Sequence, residues 1–122
     1  GGIVLAHLLT NKGSVRCEFT VTRLGASHFY LIGTPRGERH DFDVLQKALP
    51  ADGSVQLTNA TFERGGFTVV GPKARQLLEN LVDGDLTNDA FPWMSAQTLT
   101  VGLASDVRMM RVNYEGELGW EL

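Results

Sequence analysis

Residues 15–22 read Val15-Arg16-Cys17-Glu18-Phe19-Thr20-Val21-Thr22. Val15, Cys17, Phe19 and Val21 alternate with Arg16, Glu18, Thr20 and Thr22, and Ser14 extends the polar set. A period of two gives a strand with one apolar and one polar face. Working back, residues 3–9 (IVLAHLL) read as an earlier strand, and Asn11-Lys12-Gly13 as the turn that joins the pair in a hairpin. Working forward, FYLIG after Gly25-Ala26-Ser27 reads as a third strand.

The period changes at residues 36–49. Phe42, Leu45 and Leu49 fall on one helical stripe with Ala48 beside it, and Pro50 with Asp52-Gly53 ends the helix. SVQLT and GFTVVG read as two further strands. Gly71-Pro72 opens a second helix, with proline in its first turn and Ala74, Leu77, Leu78 and Leu81 on the face expected to be buried. Residues 83–96 read as a loop that Trp93 would anchor, TLTVGL and VRMMRVNY as a hairpin, and GWEL as a last strand. Short links between strands favour antiparallel pairing, so the fold class is α+β, mainly antiparallel sheet with two helices.

The chain has 122 residues, 43% of them apolar, which is room for one domain with a real core. A net charge of −3 argues against a nucleic-acid partner, whose footprint would be a basic stripe. The single cysteine, Cys17, excludes an internal disulfide, and IVLAHLL is too short to span a bilayer. The chain begins and ends on strand-like apolar residues rather than loose polar ones. It is therefore expected to be a piece of a longer protein, truncated at both ends.

Glu18 projects from the polar face of its strand. It is either a solvated carboxylate or one that enters a ligand cleft, where it could stabilise a cation or accept a proton. Tyr114 and Glu121 flank the turn at Gly116. They are either ordinary hairpin residues or a binding pair: a carboxylate accepts two parallel N–H bonds, and an aromatic ring beside it packs on a planar ligand. A pterin offers both the paired donors and the plane. His7, His28 and His40 have no metal-ligand spacing, so no metal is expected. His7 is left open between a buried and a cleft-facing position. Cys17 shares the core parity of its strand and reads as buried rather than nucleophilic. Arg36, Arg39, Lys73 and Arg75 read as solvated, as do Glu115 and Glu117.

Three stretches carry a resemblance. They are HLLTNKGSVRCEFTVTRL, VVGPKARQLLENL with the DLTNDAFP that follows, and the terminal RVNYEGELGWEL. Together they resemble the folate-binding, aminomethyltransferase-like half of dimethylglycine and sarcosine dehydrogenases and oxidases. The same module forms the glycine cleavage system T-protein. The likeness spans nearly the whole chain, 1–122, as a partial domain.

The resemblance implies a domain that binds tetrahydrofolate. An amine-derived iminium carbon is transferred to it, giving 5,10-methylenetetrahydrofolate. The acid of the second strand, a catalytic residue in the family, falls at Glu18; T-proteins carry an Asp-Asp pair where this chain has Cys17-Glu18. The pterin-holding glutamate falls at Glu121 and the neighbouring aromatic at Tyr114. An FAD-binding oxidase half would precede these residues in the parent, so the segment alone is expected to be inactive. The implied location is the mitochondrial matrix in a eukaryote and the cytoplasm in a bacterium. The rivals are a T-protein aminomethyltransferase, a non-catalytic or regulatory member of the superfamily, and a structural module with a protein partner. A sheet edge at the last strand is expected to be exposed, inviting a homodimer by strand addition.

Overall fold

A computed structural model describes residues 1–122. The element order is β1 (Ile3–Leu9), β2 (Val15–Arg23), β3 (Phe29–Ile32), a one-turn 3-10 helix (Pro35–Gly37), α1 (Glu38–Lys47), β4 (Thr68–Val70), α2 (Ala74–Glu79), β5 (Val82–Asp83), β6 (Ala96–Val101), β7 (Ala104–Met110) and β8 (Gly119–Glu121). One sheet has the order β1-β2-β3 and the other β4-β8-β7-β6-β5, with antiparallel pairing at every junction of the second. The fold is α+β, as the sequence indicates. No helix is long and apolar enough to cross a membrane.

The chain divides into two compact units, one of residues 1–4, 22–30 and 66–122, the other of residues 5–21 and 31–65. In the first, α2 places Ala74 and Leu78 against Phe91, Met109 and Trp120 of the five-stranded sheet and its loops. Leu118, Trp120 and Leu122 take the core side of the final strand by their common parity. Gly119, on the other parity, has no room for a side chain: a Cβ there would lie 3.2 Å from the Val69 carbonyl oxygen and 3.2 Å from Val70 Cγ2. The glycine lets β8 approach β4 closely enough to pair Val70 with Gly119 and Thr68 with Glu121.

In the second unit, Cys17 and Phe19 are the buried residues of β2, and Asp41 and Val44 those of α1. The Thr34 hydroxyl accepts from the Gly37 amide and caps the one-turn helix. Asp41 lies beneath that turn, where a Cβ on Gly37 would come within 2.6 Å of its Oδ2.

Several expectations are corrected. Residues 54–58 form no strand, and Val55 is 50% exposed; a five-residue run with β propensity but no ladder partner stays irregular. In α1 the inward face is centred on Val44 and Asp41, leaving Phe42, Leu45 and Leu49 half-buried. The helix α2 is only six residues long, Ala74–Glu79; it buries Ala74 and Leu78, while Leu77 on its outer side and Leu81 beyond its end are exposed. Trp93 is 64% exposed, and the loop is anchored by Phe91, which is wholly buried. Thr22 breaks the parity of β2: it is fully buried, with its hydroxyl donating to Met110 Sδ at 3.5 Å.

The last strand is not an edge. Strand β8 is bonded by β4 on one side and β7 on the other, so it offers no free ladder to a second copy. Its main partner is β4; it meets β7 at the single pair Met110–Glu121. The GWEL segment is therefore the insertion between two strands rather than the second arm of a hairpin.

Candidate functional site

Glu121 owes its direction to its neighbour. Trp120 is wholly buried, stacked edge-on against Phe91 with ring centroids 6.3 Å apart. Consecutive strand residues face opposite sides, so anchoring Trp120 in the core turns Glu121 to the other face. There Thr68, Val70, Val112, Tyr114, Glu115 and Glu121 line one cavity of about 290 Å³. Thr68 and Val70 reach it from β4 by the register that leaves Val69 on the core side. Tyr114 comes from the turn between β7 and β8. That turn is closed by the Gly116 amide donating to the Asn113 carbonyl at 3.1 Å, with Gly116 at φ 74°, a value glycine adopts without strain.

The two predicted binding residues thus share one cavity and differ in character. The Tyr114 side chain is exposed and forms an open wall. Glu121 is half-buried, and burial raises its carboxyl above the ordinary glutamate range. No donor from the protein offsets that burial. A carboxylate so placed gains from any ligand that brings N–H groups to it. Beside the turn, Asn113 Oδ1 is buried without a hydrogen-bond partner, a second acceptor that the fold leaves unsatisfied. Glu115 and Glu117 are exposed, as expected of turn acids.

Glu18 lies in the other unit. Its Oε2 meets His7 Nε2 at 2.6 Å, and both side chains are 42% exposed. The neighbouring Cys17 takes the opposite face and is buried. Burial first, and then the Asp41 carboxylate, push its thiol up, so it is protonated and unreactive rather than a nucleophile. No group of three His, Cys, Asp or Glu side chains is placed to hold a metal ion.

One constellation escaped the sequence. Arg75 and Arg111 each lie 5.7 Å from the Trp120 ring centroid. Both donate to Asn88 Oδ1, at 2.7 and 2.8 Å, and Arg111 Nη1 also donates to the Phe91 carbonyl at 2.6 Å. Arg75 is therefore no solvated helix residue; its Nε donates to the Leu86 carbonyl at 2.9 Å. Burial and the Arg75 charge lower the Arg111 pKa. A signal was available: Arg111 continues the parity of Val107 and Met109, which marks it as a charge on the core side.

These residues belong to a described family. The model of the GCVT N-terminal domain matches residues 1–122, and the chain is a member of that family. Among individual proteins it is similar to the mitochondrial dimethylglycine dehydrogenase of Homo sapiens, with 37% identity over 119 residues, covering 97% of this chain and 14% of that protein. It is also similar to the mitochondrial sarcosine dehydrogenase of Homo sapiens, 31% identical over 136 residues, with 100% and 15% covered. The mitochondrial pyruvate dehydrogenase phosphatase regulatory subunit of Mus musculus is 29% identical over 122 residues, with 100% and 14% covered. The chain spans about one-seventh of the length of these relatives.

Proposed function

We propose that residues 1–122 belong to a tetrahydrofolate-binding one-carbon transfer domain of an FAD-dependent amine dehydrogenase of the dimethylglycine and sarcosine type. The observation that carries this reading is the Tyr114–Glu121 cavity, where a carboxylate raised by burial has no donor and an exposed ring stands beside it. A pterin edge with adjacent N–H groups suits that acceptor, and its plane suits the tyrosine. Tetrahydrofolate, when bound, supplies the nitrogen nucleophiles that take up the carbon.

Each residue of the chain then has its own task. Glu121 sets the direction of the pterin, so that orientation contributes to rate. Tyr114 covers the ring face and keeps water from the hydrogen-bonded edge. Glu18 supplies negative charge that lowers the energy of an iminium, takes the proton lost by the folate nitrogen that attacks its carbon, and can return that proton to the amine nitrogen as its bond to the carbon breaks and the amine leaves. The FAD lies outside these residues, and oxidation of the amine is work for the rest of the intact protein. The matrix of the mitochondrion is the proposed location in a eukaryote, in keeping with the names of the relatives.

The test is a titration of the intact protein with tetrahydrofolate, followed by measurement of methylenetetrahydrofolate formed per amine oxidised. Glu121→Gln should weaken folate binding, and Glu18→Gln should lower the yield while folate still binds. Wild-type behaviour from both variants would sink the assignment.

A second reading keeps the binding cavity but no chemistry. The similarity of all 122 residues to about one-seventh of a phosphatase regulatory subunit favours it. Under that reading the intact protein binds tetrahydrofolate, forms no methylenetetrahydrofolate with dimethylglycine or sarcosine, and is indifferent to Glu18→Gln.

A further inference from the structure

Glu18 carries its carboxyl on two methylenes, each of which adds a rotatable bond. A carboxylate on a longer arm loses more rotamer freedom when it is fixed, so its use in a defined geometry calls for a second group to hold it. His7 is in place to do so. Its Nε2 lies 2.6 Å from Glu18 Oε2, from one strand of the β1–β2 hairpin to the other. By contrast, the ion pairs Lys47–Asp43 and His40–Asp41 lie within α1.

We propose that His7 is a positioning residue for Glu18: its Nε2–H holds Oε2 and leaves Oε1 free to act. This rests on the role given to Glu18 above and adds a residue to it. The pair is open enough for a ligand to reach, since both side chains are 42% exposed. An ion pair so open to water adds little to stability, so His7 can be replaced without unfolding the hairpin. Orientation is where its effect falls, and a misplaced reacting group costs rate rather than affinity.

The experiment uses His7→Leu, which removes the donor, and His7→Gln, whose amide nitrogen can occupy the place of Nε2. In the intact protein His7→Leu should lower the rate of methylenetetrahydrofolate formation by roughly ten- to hundredfold. Its dissociation constant for tetrahydrofolate should not change, and His7→Gln should recover most of the rate. A readout free of folate is the ring nitrogen signal of His7 in nitrogen-15 NMR, which should shift on Glu18→Gln in the ligand-free protein. An unmoved signal, or full activity in His7→Leu alongside an impaired Glu18→Gln, overturns the inference. Full activity in Glu18→Gln itself would instead remove the role of Glu18 on which the inference stands.

Discussion

Trp120 and Glu121 are consecutive on β8 and have opposite surroundings: the indole is wholly buried, and the carboxyl lines a cavity on the other face. The period of a strand makes one a condition of the other. Packing of Trp120 between Phe91, Arg75 and Arg111 is what gives Glu121 a fixed direction. Trp120→Ala should cost about 3–5 kcal/mol of stability, a large share of what a domain of this size possesses. Urea denaturation of the chain measures it. A loss under about 1 kcal/mol would mean the core closes around the gap more completely than packing of this density allows.

Glu121 gives a prediction with a definite sign. Its folded carboxyl is raised by burial, whereas the unfolded chain ionises in the ordinary range, about pH 4.3. The folded form therefore holds its proton longer. Stability from this residue is complete below the unfolded pKa and is lost as pH rises through the folded one. Glu121→Gln should remove that slope and make the ligand-free chain more stable at neutral pH, while weakening tetrahydrofolate binding. Urea midpoints of both proteins, followed upward in pH from about 4, where the unfolded carboxyl ionises, decide it. Parallel curves would mean that the carboxyl carries no cost of burial.

Asn88 accepts from two guanidinium groups with a neutral oxygen. Replacing it by aspartate puts a charge where two cations already point, at an exposed position where desolvation is small. Asn88→Asp should stabilise the chain by about 1 kcal/mol, and added salt should shrink the gain. A destabilised variant would show that the amide nitrogen of Asn88 matters more than its oxygen.

Cys17 should titrate late. Its thiol is raised by burial and by Asp41, so the folded state keeps the proton while the unfolded chain loses it near pH 8.5. Stability from this group holds below that pH and falls as pH rises toward the folded pKa. Cys17→Ala should flatten the alkaline limb of the stability curve. In the native protein, alkylation by iodoacetamide should wait for unfolding; rapid labelling at neutral pH would contradict the burial.

Alternation carried most of what could be read beforehand. The strands β1, β2, β3, β6 and β7 follow from their period and turns. Residues 54–58 did not, because β propensity does not supply a partner strand. The short α2 also failed to follow the pattern: Leu77 and Leu81 have helical spacing, but only two of the expected four positions are buried. Tyr114 and Glu121 were singled out through resemblance, since spacing alone cannot separate a hairpin acid from a ligand-binding one; that they line one cavity is what the structure adds. Their common cavity depends on β8 inserting between β4 and β7, a long-range pairing that no local pattern records. Likewise the His7–Glu18 contact is set by the register of a hairpin, and the histidine's own neighbours in sequence say nothing of it.

The burial of Trp120 and the exposure of Trp93 also divide the chain's light emission between two environments. Trp120 sits in the core under two guanidinium groups, shielded from water and from soluble quenchers, while Trp93 meets both. Acrylamide should therefore extinguish one component of the fluorescence and leave the other. The component that survives reports, without any label, on the strand that aims Glu121.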